Sequence, residues 1–355
     1  MSDTDTTTIT RSGPRPVRPV KFGTTGFYPA FSGAAMAVES EAMGFDIQSF
    51  PENHSMVADC FGEMRDAARE TTKILLAAGP VNFVTRDPGV VAAAVLPLQV
   101  ISRGRTVCGV ASGDSAVAAA GRAPQKHDGL DRDVRMLRTY LHGGDVAVGE
   151  RTSRLEWADD LSYEPVPIQM VCSGPKAIAL AGRVTDRICL GIGTNPERVA
   201  WALRIIDEAL HESGRDRDDI RIGLFAPLAV TDDRVTGRAA IRTRVAAWAH
   251  MSSGRGIDLS EQPEILRRVT SVLRDTYDYR YHRPGVPADN PNTEPCDEEF
   301  GDWMGIGGPT SYVSDRLGQL VDMGVDFFMT ALPPQERETF AAEVMPAVRA
   351  LRATR

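Results

Sequence analysis

The sequence predicts an α/β fold, a (β/α)8 TIM barrel with insertion segments, from three observations. Short apolar, β-rich runs alternate with longer segments of helical period from about residue 20 to the end of the chain. The strand after each helix lies too far along the chain for a hairpin, so neighbouring strands must run parallel. The first strand breaks into FGTTGF, Phe22 to Phe27, without the G-x-G-x-x-G spacing expected of the rival architecture, a doubly wound open sheet. Repeated units of strand then helix close most naturally on themselves.

In order, the strand runs are Val20 to Thr24, Asp46 to Phe50, Lys73 to Ala78, Thr106 to Val110, Ile168 to Cys172, Arg187 to Gly191, Arg221 to Val230 and Val325 to Leu332. Each is short and β-rich, as a buried barrel strand should be. Helical segments fill the spaces between: Ala34 to Met43, Pro88 to Ser102, Leu130 to Leu141, Pro175 to Arg183, Glu197 to Ser213, Arg234 to His250 and Ser311 to Met323. Two carry a start signal, a capping residue followed by proline at N1: Asp87 then Pro88, and Ser173 ahead of Pro175. A last helix, Pro334 to Leu351, covers the closing edge.

At 355 residues, 42% apolar and 25% charged, the chain can bury one large core, and α/β barrels often exceed the usual domain size as one unit. The expected organisation is a disordered leader over residues 1–16, polar and without the apolar region of a signal peptide, followed by a single barrel domain over 17–355. Insertions fall at about 143–167 and 252–308. The first suits a small hairpin around Arg151 to Trp157; in the second, Tyr277 to Asp297 suits either an ordered cover over a flat ligand or a loose surface loop. A formal charge of −8, with arginines scattered among acids, argues against a nucleic-acid surface. No run of 18 apolar residues argues for a membrane span. Five cysteines at wide spacings, with no C-x-x-C pair, fit a reduced cytoplasmic protein and suggest no metal; Cys108, Cys172 and Cys189 read as core residues.

In a parallel α/β protein the ligand belongs at the carboxyl ends of the strands, where loops offer unpaired N–H groups and freely chosen side chains. Two blocks mark that mouth: AAGPVNFVTRDP (residues 77–88) and VASGDSA (110–116), each a strand-like run breaking into glycine, hydroxyl residues and charge. Ser173 as an N-cap would leave first-turn N–H groups facing an anion, the favoured reading over a plain cap before proline, because two glycine-bearing turns fall at successive strand ends. Glu52, Asn53 and His54 follow the second strand. His54 is the only histidine expected at the mouth, where an imidazole can deliver a proton near neutrality, with Glu52 orienting it or acting as the acid. The bland alternative keeps His54 bonded within its own loop, Arg86 in a solvated ion pair, and Asp114 and Ser115 as helix caps. His250, Tyr281 and His282 stand behind these candidates; His127, His142 and His211 read as surface residues, and the four tryptophans as packing.

Six blocks in register give the chain a resemblance to the luciferase-like monooxygenase superfamily, the barrels akin to bacterial luciferase. They are Gly44 to Pro51, Gly79 to Pro88, Ser102 to Gly113 with Asp114 and Ser115, Val171 to Pro175, Asp186 to Thr194, and Gly307 to Pro309 leading to Gly324 to Phe328. The nearest branch resembles coenzyme F420-dependent reductases of the methylenetetrahydromethanopterin reductase type. That resemblance implies a tricyclic ring at the barrel mouth and an F420-dependent oxidoreductase passing hydride to or from a small organic substrate. An FMN-using monooxygenase and a non-catalytic cofactor-binding barrel are the alternatives. It also implies a homodimer built through helices two and three. By position it assigns Glu52 and His54 to catalysis. It assigns Asn53, Gly79, Pro80, Val81, Asn82, Ser112, Gly113, Asp114, Ser115, Cys172, Ser173, Gly174, Gly191, Ile192, Gly193 and Thr194 to the cofactor. Gly79 and Pro80 fall where the family carries a cis peptide against the ring's rear face, so a cis bond is expected there. Ser49 stands where relatives often have Trp and Phe83 where many have Pro, so the shape of the substrate pocket does not transfer.

Overall fold

The computed structural model describes residues 18–252, 258, 260, 262–282 and 289–353, so the expected leader lies outside the described residues. Eight strands form the barrel: β1 (Lys21–Thr24), β2 (Ile47–Phe50), β3 (Leu75–Ala78), β4 (Thr106–Ala111), β5 (Ile168–Cys172), β6 (Arg187–Leu190), β7 (Arg221–Phe225) and β8 (Phe327–Thr330). All pair in parallel, each with its neighbour in the chain; β8 returns to β1, completing a closed TIM barrel.

One expected strand divides. The run from Arg221 to Val230 leaves the barrel after Phe225, and Leu228–Val230 pairs instead with Ile306–Gly308. Pro227 interrupts it, having no N–H to give to a ladder, while its carbonyl accepts from the Ile306 N–H at 2.9 Å.

The longer helices are α1 (Gly33–Ala42), α2 (Cys60–Glu70), α3 (Pro88–Ile101), α4 (His127–Leu141), α5 (Pro175–Val184), α6 (Pro196–Glu212), α7 (Arg234–Met251), α8 (Glu264–Thr276), α9 (Glu298–Met304) and α10 (Thr310–Asp322). A closing helix from Pro334 is interrupted by a π turn at Phe340–Val344. Outward strand residues such as Phe22, Phe50, Leu76, Val110 and Phe328 join the helices in the main core. Inward residues Ile47, Ala77, Val107, Cys189, Phe327 and Met329 fill the barrel.

One device recurs at the barrel floor. Asp46, Asp186 and Asp326 each stand just before a strand and accept the N–H of an adjoining strand: Phe22 at 2.8 Å, Ile168 at 2.8 Å and Ile222 at 2.9 Å. Each carboxylate satisfies a strand-end donor that would cost about 1–3 kcal/mol if buried unpaired.

The first insertion forms a hairpin earlier than expected, Val146–Val148 with Arg151–Ser153, and Glu156–Ala158 is a single 3-10 turn. The second builds a core of its own, in which Ile241 and Val245 of α7 meet Leu266, Leu273, Phe300 and Met304.

Candidate active site

Strand ends β3, β4 and β5 are consecutive on the carboxyl rim, so Pro80, Ser112 and Ser173 share one side of the mouth. Between β3 and β4 the register slips. Ala77 pairs with Val107 but Val81 with Val110, so one extra residue is held at Ala78, Gly79 and Pro80. This bulge depends on glycine twice: a Cβ on Gly79 would lie 1.9 Å from Ser49 Oγ, and one on Gly109 would lie 2.0 Å from the Ala78 carbonyl oxygen. The Gly79–Pro80 bond is trans, which corrects the expected cis isomer. The extra residue already supplies the bend, so the cost of a cis bond, roughly 0.5–1 kcal/mol before proline, buys nothing here.

Two buried amides tie the adjoining loops. Asn82 Oδ1 accepts from the N–H of Val84 and Thr85 at 3.2 and 3.0 Å, while its Nδ2 donates to Glu52 Oε2 at 3.3 Å. Asn53 Oδ1 accepts from the Ser55 N–H at 3.0 Å, and its Nδ2 donates to Ser115 Oγ at 3.0 Å. Glu52 Oε1 accepts from Arg86 Nε at 2.5 Å, and Arg86 also pairs with Asp59 and lies over the Phe61 ring. Glu52 and Arg86 are thus committed to one another. His54 is exposed and makes no hydrogen bond among the described residues. Asp87 caps α3, accepting from the Gly89 N–H at 2.7 Å.

Asp114 has a different role from the cap weighed for it. Its side chain caps no helical N–H; Oδ1 accepts from the Tyr279 hydroxyl at 2.8 Å and lies 3.7 Å from His250 Nε2. His250 Nε2 and the Tyr279 oxygen are 3.0 Å apart. The imidazole stacks on Tyr277 at 3.8 Å between ring centroids, and the Tyr277 hydroxyl meets His282 Nδ1 at 2.6 Å. Burial opposes the charge on Asp114, but the hydrogen bonds and charge of His250, the Tyr279 hydroxyl and the charge of His282 prevail and hold its carboxyl below the usual range. Burial pushes both tyrosine hydroxyls up and His282 down. One carboxylate held below its usual range therefore meets two phenols and two imidazoles at the end of β4.

Across the rim, Ser173 is not the N-cap of α5; Gly174 is, with Pro175 at N1 and no side-chain cap. The Ser173 hydroxyl donates instead to the Met251 carbonyl at 3.2 Å, because the end of α7 arrives beside it. The α5 N-terminus is left to backbone N–H groups, with Lys176 exposed in its first turn. Gly191 lies under Trp248, where a Cβ would stand 2.5 Å from the ring. Gly193, at φ +83°, packs on Met304, and the Thr194 N–H donates to the Met304 carbonyl at 3.0 Å. Ile192 and Thr194 are buried, and Thr194 Oγ1 has no partner. The second insertion therefore covers the turn at 191–194. Cys172 is buried, and burial pushes its thiol up.

The sequence placed His250 and His282 behind His54 and left Tyr277 and Tyr279 within a general aromatic stretch. Their one local signal was the spacing of Tyr277, Tyr279 and Tyr281 ahead of His282. Only the fold brings them to Asp114.

A closed parallel barrel with polar groups gathered on its carboxyl rim is the class that fold and geometry define. The chain belongs to the luciferase-like monooxygenase family, whose model matches residues 21–326. It is 23% identical over 324 residues to the 5,10-methylenetetrahydromethanopterin reductase of Archaeoglobus fulgidus, covering 87% of this chain and 93% of that one. It is 26% identical over 298 residues to the F420-dependent glucose-6-phosphate dehydrogenase of Beutenbergia cavernae, covering 80% and 81%. The solved coenzyme F420-dependent tetrahydromethanopterin reductase of Methanopyrus kandleri shares the fold, with a TM-score of 0.70 at 19% identity over 93% of this chain and 99% of that one.

Proposed function

We propose that this protein is an oxidoreductase that binds coenzyme F420 at the rim and moves hydride between it and a small organic substrate. Family membership and the F420-dependent relatives support the reading. The carrying observation is the Asp114 group, where a carboxylate held ionised meets His250 and Tyr279 at the carboxyl end of β4.

The residues present fit the cofactor's chemistry. An uncapped α5 N-terminus with Lys176 suits an anionic tail, since helix N–H groups and the helix dipole both favour negative charge. The bulge at Gly79 and Pro80, with Val81 and Asn82 beyond it, offers a rigid backbone face for a flat ring. Thr194 supplies a spare hydroxyl. Bound there, the deazaflavin supplies hydride donation or acceptance.

The protein's share is positioning and proton handling. Asn53, Ser115, Asn82 and Glu52 lock three loops together, which keeps the reacting partners at a fixed separation. Asp114 takes or returns a proton through the Tyr279 hydroxyl and His250, both within hydrogen-bonding reach of one another. His54, exposed beyond β2, is the competing donor. The aromatic segment 277–282, through the Tyr279 hydroxyl, and the His250 ring cover the carboxylate on one side and shield it in part from water.

The family's description as monooxygenases favours a second reading, an FMN-using oxygenase at the same rim. Fluorescence quenching with purified protein separates the two: we expect F420 to bind at least tenfold more tightly than FMN, and the reverse order would overturn the proposal. Among variants, Asp114→Asn should abolish most turnover without loss of cofactor binding, while His54→Ala should retain it. Binding of F420 without turnover across a broad panel of substrates would point to a sequestering barrel.

A further inference from the structure

At the opposite end of the barrel from the rim, three cationic side chains meet around Phe327. Lys21, Arg187 and Arg221 stand at the starts of β1, β6 and β7, with Arg221 paired to Arg187 and Lys21 to Phe327 in the strand register. Barrel interiors are ordinarily filled by layers of branched apolar residues. Here these three side chains, with Arg18, Pro19, Asp326 and Phe327, line a cavity of ≈ 210 Å³.

The charges do not balance. Among the described residues Asp326 is the only carboxylate of the lining; its Oδ2 accepts from the Ile222 N–H at 2.9 Å and from Arg217 at 3.3 Å. Asp218, just outside, holds Arg18 at 3.2 Å. Asp186 is engaged by the Ile168 N–H and by Arg138. Arg187 is the least compensated. It is 8% exposed, its Nε donates to Gln169 Oε1 at 3.1 Å, and its guanidinium lies 4.4 Å over the Phe327 ring. Its Nη2 is buried without a partner. Burial, and then the like charge of Arg221, pushes the Arg187 guanidinium down to about 10. A buried guanidinium with a spare donor facing two further cations is a costly arrangement unless an anion completes it.

We propose that this floor cavity is a binding site for a small multivalent oxyanion, phosphate or the phosphoryl group of a phosphate monoester, held by Arg187 Nη2, Arg221 and Lys21 with Arg18 at the entrance. A guanidinium fork matches the geometry of phosphate oxygens, and a dianion offsets two of the converging charges where a monocarboxylate would offset one. The site is independent of the rim and of whichever cofactor binds there. By linkage, an anion bound only by the folded state raises stability in a saturable way.

The test uses the full chain. Thermal unfolding and titration calorimetry are run with inorganic phosphate, methyl phosphate and acetate against sodium chloride at equal ionic strength. We expect a saturable rise in Tm and measurable binding heat with phosphate, and little with acetate. Arg187→Met should weaken the phosphate affinity at least tenfold. Lys21→Met, a partly exposed position, gives a second reading if the first variant folds poorly. Binding of methyl phosphate as tightly as phosphate would identify the ligand as an ester; its exclusion would identify free phosphate. Either way, cofactor binding at the rim should be unchanged in both variants. No saturable effect of phosphate, or equal affinity in the wild type and both variants, overturns the proposal.

Discussion

Gly109→Ala is the sharpest probe of the rim. Gly109 lies on β4 opposite the bulge, and an added Cβ would stand 2.0 Å from the Ala78 carbonyl oxygen and 3.1 Å from its carbon. Ordinary contact begins at 3.4 Å, so the two strands would have to part by about 1.4 Å. No side chain can rotate aside, because the obstacle is backbone belonging to the barrel's own ladder. Overpacking of this kind costs about 1–3 kcal/mol. With an unfolding entropy of roughly 2.1 cal/mol/K per residue, that lowers Tm by roughly 1–4 °C for a chain of this length. The function should suffer more, since a displacement of about 1 Å at a reacting centre can cost about a hundredfold in rate. Gly26→Ala, where a Cβ meets nothing within 4 Å, serves as the control. Thermal unfolding and cofactor titration read both effects. If Gly109→Ala matches the control in Tm and in cofactor affinity, the close-packed bulge is not what shapes the rim.

Three further outcomes are expected. Tyr279→Phe removes a donor that helps hold Asp114 ionised, so the acid limb of the rate profile should move to higher pH, read by kcat/KM against pH. His282 is pushed down by burial, so the unfolded chain binds more protons than the folded one as pH falls below about 6.5. Stability should therefore drop below that pH, a loss that denaturant titrations should find reduced in His282→Gln. Arg105 donates to the carbonyls of Ala68, Thr71, Ile74 and Ser102 at 2.8–3.0 Å, binding the end of α2 to the start of β3. Arg105→Met should cost about 2–4 kcal/mol by denaturant titration and leave cofactor affinity alone.

The barrel was legible because each strand is a short apolar run and the spacing between runs forces parallel pairing. What escaped did so for physical reasons. The helix Cys60–Glu70 presents Cys60, Phe61, Met64, Ala67 and Ala68 to the core between charged residues, and its polar face hides the stripe. The run beyond Phe225 stays apolar although its partner changes, and a change of partner leaves no mark on hydrophobicity. Asp114 was picked out from its place after a strand, and it stands just beyond the end of β4. Of its neighbours, His250 and His282 ranked only as weaker candidates and Tyr279 was not singled out, because they lie more than a hundred residues away and reach it only through packing of the second insertion. Ser173 shows the converse limit: the residue types announced a cap, and a carbonyl from a distant helix claimed the hydroxyl.

The short ladder between Leu228–Val230 and Ile306–Gly308 fastens the departure and the return of the second insertion side by side. The described helices between those clasps, α7, α8 and α9, share an apolar nucleus of their own, so what they carry over the mouth can be exchanged while the strands beneath keep their path. A lineage could thus refit the roof over the mouth, and with it the choice of guest, by trading one cassette.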